Sequence, residues 1–430
     1  MQNQQFAHAE IAALHAAAVQ AARAGDEDTA GRAWGRILAL DAHDELALTS
    51  VGKRAFKQGD LAGARDAFTR LVQAHPQVVQ GWLSLALVGQ RSGDEDLEES
   101  SLTGALRADP GDLLALILRA NMFERQGQRH KAASTYGAVA SVAPPLEQLN
   151  PDLRASVRHA WEYRHHYNGD FGAFIDRFLE GSYQERDGAD LRRFREAVDI
   201  MLERKRRYDS QSMMFHYPGL LPQPFFDRAD FPWLDALEAG TDAIRAELLQ
   251  VLAREQDIVP YMNIADDHPH NQFAELNKSP RWSAFHLMAD GKPVAGNAEQ
   301  CPQTMALLGG APQPDQPGRT PTAMISLLKP KTRIPAHVGV SNVRLVTHLP
   351  LIVPPGCGFR VGNETRSWEP GKAFVFDDTI EHEAWNDSHQ LRVVLIFDIW
   401  HPQLSVAERA MITALTAGIN EFRGGGGFAL

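Results

Sequence analysis

Apolar and polar positions along the 430 residues follow two different periods. Up to about residue 255 the apolar positions recur three and four apart, the spacing of one helix face. From about Pro321 onward they fall into short runs separated by Gly, Pro, Asn and Asp, which is the pattern of strands and turns. The runs TAMISLLKP, RIPAHV, VRLVTHLPLIV, GFRVG, ETRSW, KAFVF, EHEAWN and QLRVVLIFDIW predict about eight strands. Eight short strands with regular turns predict a jelly-roll or cupin-like double-stranded β-helix. Residues 256–322, rich in Asn, Gln, Gly and Pro, separate the two regions. Within them, LNKSPRWSAFHLMADGKPV predicts two strands joined at an Ala-Asp-Gly turn, and CPQTMALLGG a short helix. The stretch from SMMFHYPG to about Pro232 predicts an extended strap followed by a helix. SVAERAMITALTAGINEF predicts a terminal amphipathic helix, and the run Gly424 to Gly427 a frayed end.

The helical half repeats itself. Gly25, Gly59, Gly93 and Gly127 recur every 34 residues, as do Pro76, Pro110 and Pro144. Ala30, Ala64 and Ala132 share one phase, with Glu98 the exception. Trp34, Phe68, Leu102 and Tyr136 follow four positions later. This predicts a helix pair per unit. Glycine ends the first helix in a left-handed conformation, and alanine sits at the close approach of two helices. The large residue fills the gap on the same helical face. The pattern resembles the tetratricopeptide repeat over residues 9–144 in four units, which implies a stacked array with a concave groove for a peptide or protein partner. Residues 145–210 then read as an unrepeated helical linker and 211–430 as a second domain. The expected class is α+β multidomain, an all-α solenoid followed by a β-barrel.

Composition narrows the function. A formal net charge of −11 argues against a nucleic-acid binder. The only basic cluster, Arg204 to Arg207, reads as a solvated helix end. No run approaches 18 apolar residues, and the N-terminus lacks a basic start before an apolar core, so no membrane span is expected and a cytoplasmic location is. Cys301 and Cys357 fit neither a disulfide framework nor a zinc motif. The adjacent His165 and His166 point to different faces of a helix and make poor co-ligands.

Candidate chemistry gathers in the strand region. His337 and His382 lie 45 residues apart at the ends of candidate strands, and Arg392 lies on the next strand. Neutral imidazoles suit iron, and a guanidinium suits a carboxylate. The usual His-x-Asp/Glu form is missing, because His337 is followed by Val338 and Gly339.

The stretches HVGVSNVRL, HLPL, NETRSW, FDDTIEHEAW and IWHP, within residues 275–403, resemble the aspartyl/asparaginyl β-hydroxylase family of Fe(II)- and 2-oxoglutarate-dependent oxygenases. That family carries Gly where other oxygenases carry the carboxylate ligand, so Gly339 fits. The resemblance implies His337 and His382 as iron ligands, Ser326, His348 and Arg392 as 2-oxoglutarate-binding residues, and dioxygen as the oxidant. Asp378 is a candidate carboxylate for orienting an iron-bound water, with a plain turn Asp as the alternative. Arg281 and Trp282, in RWSAF, are candidates for the substrate mouth, with a core position for the Trp as the equal alternative. One position departs from the family pattern: an arginine two residues before the His of His-Leu is Val346 here, while Arg344 keeps its counterpart.

The leading expectation is hydroxylation of an Asp or Asn side chain in a peptide or protein. A small-molecule or lipid hydroxylase, a halogenase using the place left by the missing carboxylate, and a repeat adaptor with a vestigial barrel are the alternatives.

Overall fold

The computed structural model describes residues 2–186, 190–254, 256–269 and 271–424. They divide into two compact units, residues 1–195 and 196–430. Gly425 to Gly427, the rest of the glycine run, lie outside the described residues.

The first unit is built from helices in pairs. These are α1 (Gln2–Arg23) with α2 (Glu27–Leu40), α3 (Glu45–Gln58) with α4 (Leu61–Ala74), α5 (Val79–Ser92) with α6 (Glu95–Ala108), and α7 (Leu113–Arg125) with α8 (Arg129–Val142). The four repeat glycines all have positive φ, from 69 to 81°. A side chain there would be strained, which is why glycine recurs at each turn. Asp26, Asp60 and Asp94 then cap the second helix of three units, each carboxylate accepting a backbone N–H three residues on. Ala30, Ala64 and Ala132 are buried, as are Trp34, Phe68, Leu102 and Tyr136. The exception, Glu98, is also buried and accepts a hydrogen bond from Arg125 at 2.6 Å. The expected tetratricopeptide-like helical repeats are therefore present. The region expected as a linker begins with one long helix, α9 (Pro151–Gln184), on which His165 and His166 are exposed. The division between the units falls inside α10 (Arg192–Met201).

In the second unit the strap is extended, and its backbone runs along the loop that follows His337. Gln211 N–H donates to Thr379 O at 2.7 Å and Met213 N–H to Gly339 O at 3.1 Å. Helices α11 (Leu234–Ala239) and α12 (Thr241–Arg254) follow. Next come strands β1 (Val259–Pro260), β2 (Trp282–Ala289) and β3 (Lys292–Pro293), with Asp290 and Gly291 turning between the last two. Short helices α13 (Asn297–Gln300) and α14 (Pro302–Leu308) precede the eight expected strands. All eight form: β4 (Ala323–Leu328), β5 (Thr332–His337), β6 (Arg344–Ile352), β7 (Cys357–Val361), β8 (Glu364–Arg366), β9 (Phe374–Phe376), β10 (His382–Asn386) and β11 (Arg392–Trp400). Helix α15 (Val406–Phe422) ends the described chain.

The strands make two antiparallel sheets. One is ordered β1-β2-β4-β11-β6-β9, with β3 beside β2, and the other β5-β10-β7-β8. Strand alternation divides the side chains of the larger sheet between two cores. Val393, Leu395, Phe397 and Ile399 of β11 pack under α11, α12 and α14. The opposite face, with Trp282, Leu328, Val346 and Val394, meets Ile334, Phe359, Val361 and Ala384 of the smaller sheet. Cys301 and Cys357 are free thiols in these two separate cores. The sequence-predicted residues Ser326, His348 and Arg392 share the face that meets the smaller sheet. Among the described residues no helix is long and apolar enough to cross a membrane.

Candidate active site

His337 ends β5 and His382 begins β10, and the two are direct partners in the antiparallel ladder. Their ring centroids lie 4.1 Å apart. His337 Nδ1 is 2.7 Å from Pro335 O, and His382 Nδ1 is 3.0 Å from Ile380 O. A carbonyl oxygen can only accept, so each Nδ1 carries the proton and each Nε2 keeps its lone pair. Burial lowers the pKa of both rings, and for His382 the neighbouring His337 adds to the shift. Two neutral imidazoles with Nδ1 held by backbone carbonyls present two Nε2 donors of the kind a divalent metal accepts. Among the described residues no group of three or more His, Cys, Asp or Glu could hold a metal ion.

Asp378 lies beside this pair. A Cβ placed on Gly339 would collide with the Asp378 carboxylate. Its Oδ2 accepts from Arg344 at 3.2 Å, while Oδ1 is buried without a hydrogen-bond partner. Burial pushes this carboxyl up to about 7 against the opposing pull of Arg344. An orphaned buried oxygen fits a role toward a bound ligand or water rather than a turn contact.

Arg392 is buried, 1% exposed, and no carboxylate pairs with it among the described residues. Its Nη1–H donates to Ser326 Oγ at 3.4 Å, and its Cζ lies 4.3 Å from the Trp368 ring. Its Nε has no partner. Burial pushes its pKa down to about 10. A buried guanidinium without a counter-charge is costly, and an anionic ligand is what would compensate it. Trp282 Nε1–H also donates to Ser326 Oγ, at 3.3 Å. Trp282 is thus a buried neighbour of Ser326. Arg281 is exposed, donating to Lys331 O at 3.3 Å.

His348 is buried among Phe359, Phe374, Phe376 and Trp368. Burial, with the charge of Arg392 adding, pushes its pKa well below the usual histidine value. Val346 is buried in the same apolar core. Arg344, on the same face of β6, is held by Asp398 at 2.6 Å and by Asp378. Trp368 was absent from the expected site; its signal was the Trp of the NETRSW stretch, which by itself carries no chemical role.

Residues 238–402 match the family described as aspartyl/asparaginyl beta-hydroxylase. The chain is 37% identical to the ornithine lipid ester-linked acyl 2-hydroxylase of Rhizobium tropici over 201 residues, which is 46% of this chain and 68% of that one. It is 26% identical to the Mus musculus aspartyl/asparaginyl beta-hydroxylase over 388 residues, 87% of this chain and 47% of the mouse protein. The Homo sapiens protein of the same name is 31% identical over 209 residues, 48% of this chain and 26% of the human one. The chain thus spans about half or less of these two mammalian relatives. With its hydroxylase region and preceding helical repeats, the chain belongs to the aspartyl/asparaginyl β-hydroxylase family.

Proposed function

We propose that the chain is an Fe(II)- and 2-oxoglutarate-dependent dioxygenase that hydroxylates an unactivated C–H bond of an aspartyl or asparaginyl side chain in a peptide or protein. One observation carries this reading. Two adjacent imidazoles, the half-buried His337 and the buried His382, keep their Nε2 lone pairs free, and a buried guanidinium without a counter-charge among the described residues shares the interior between the sheets. In this reading the two sheets are the halves of a double-stranded β-helix.

When bound, Fe(II), 2-oxoglutarate and dioxygen supply the oxidation: one oxygen atom passes to succinate as carbon dioxide leaves, the other to the substrate carbon as hydroxyl. His337 and His382 hold the metal through Nε2. Arg392 and Ser326 hold the distal carboxylate of 2-oxoglutarate, with Trp282 fixing the serine hydroxyl. His348 donates to the other end of the cosubstrate. Asp378 orients water through Oδ1, held in place by Arg344. The packed aromatic wall of Phe359, Phe374 and Phe376 excludes bulk water. The helical repeats hold the peptide.

A second reading has its own support. The Rhizobium tropici relative is named for hydroxylation of an ester-linked acyl chain, and Val346 leaves that position of the interior apolar. The test is succinate release by the full chain with Fe(II) and 2-oxoglutarate, followed by mass analysis of cell peptides and lipids for a gain of one oxygen. Succinate formation undiminished in His382→Ala overturns the proposed function. An oxygen gained only by lipid selects the second reading.

A further inference from the structure

His348 and Arg392 meet on one side chain. Trp368 follows β8, and its indole Nε1–H lies 3.4 Å from His348 Nδ1. An indole nitrogen can only donate, so His348 Nδ1 must be the acceptor. A neutral imidazole that accepts at Nδ1 carries its proton on Nε2. The two rings are inclined at 27°, with centroids 6.1 Å apart, so the indole N–H and not the ring face alone meets the imidazole at Nδ1. Phe359, Phe374 and Phe376 pack around the imidazole, with centroids 4.9 to 5.4 Å away, and restrict its rotation. The face of the same indole carries the Arg392 guanidinium.

The contrast with the other two histidines is chemical. Backbone carbonyls take the Nδ1 protons of His337 and His382 and leave lone pairs at Nε2. Trp368 imposes the opposite tautomer on His348. We infer that Trp368 is a positioning residue that sets His348 as an Nε2–H donor toward an anionic ligand, orients Arg392 with the same ring, and keeps His348 from acting as a third metal ligand. The donor's target rests on the 2-oxoglutarate reading above; the tautomer does not.

The test uses the full chain labelled with ¹⁵N-histidine, without metal, with His348 assigned by comparison with His348→Gln. The wild-type ring is expected to show a protonated Nε2 and an unprotonated Nδ1. Trp368→Phe keeps the ring face but removes the N–H, so His348 is expected to become a mixture of tautomers. 2-Oxoglutarate alone is expected to bind this variant about tenfold more weakly. A protonated Nδ1 in the wild type overturns the inference, and that spectrum decides even where Trp368→Phe does not fold. An unchanged tautomer in a folded Trp368→Phe overturns it as well. A tautomer shift with no 2-oxoglutarate binding to either form upholds the role of Trp368 and overturns the cosubstrate reading instead.

Discussion

The carboxylate of Asp378 occupies the space beside Gly339 that any side chain at 339 would need. Two places that look independent in the chain thus share one volume. Restoring the missing carboxylate by Gly339→Asp is expected to lose metal binding rather than strengthen it. Gly339→Ala is expected to cost about 1–3 kcal/mol from overpacking. Adding Asp378→Gly should recover most of that loss. A denaturation double-mutant cycle measures the coupling, and additive effects would show that the two side chains do not compete for space.

Among the described residues Arg392 combines complete burial with an unpartnered Nε and no carboxylate pair. Arg392→Met is expected to stabilise the ligand-free protein by on the order of 2 kcal/mol, because an uncompensated buried charge is removed. The same variant is expected to lose 2-oxoglutarate affinity at least ~100-fold, since a charge-assisted bidentate contact disappears. Calorimetric titration and thermal unfolding together read both effects. A less stable Arg392→Met protein would contradict the assignment of strain to this guanidinium.

The pH dependence has a definite sign. His337, His348 and His382 all have pKa values lowered by burial from 6.5. Below that value the unfolded chain takes up protons that the folded one refuses, so stability is present above about pH 6.5 and falls as pH is lowered through it. Each histidine held well below the window adds about 1.4 kcal/mol per pH unit, and Asp378, whose carboxyl is pushed up to about 7, subtracts a similar amount over the same window. Denaturant titrations at pH 7.5, 6.5 and 5.5, followed by tryptophan fluorescence, check this. His348→Gln should reduce the slope by about 1.4 kcal/mol per pH unit.

In the repeats, Glu98 stands where three other units carry alanine. Its partner Arg125 remains 45% exposed at the side chain, so removing the acid does not strand a buried charge. Glu98→Ala is expected to change stability by less than about 1 kcal/mol, whereas Ala64→Glu should cost about 3 kcal/mol or more. Equal losses in thermal unfolding would mean that the Arg125 contact is essential to the array.

Much of this architecture was legible because it is local. A 34-residue period is set by glycine and alanine at fixed helical phases, and each φ and burial at those positions agrees. Along β11 the structure sets Arg392 and Asp398 on one face and Leu395 and Phe397 on the other, a division the near-continuous apolar run does not show by itself. The histidine pair was legible through spacing and family motif. What the chain order does not contain is which side chains from distant strands meet between two sheets. Trp282 turned inward to Ser326, Arg344 was taken up by Asp398 and Asp378, and Asp378 filled the space at Gly339. Only the tertiary structure decided these, because each is a contact across tens of residues whose outcome depends on packing volume and unshared hydrogen-bonding atoms. The histidine tautomers belong to the same class, since a ring's proton is placed by whichever donor or acceptor the fold sets against Nδ1.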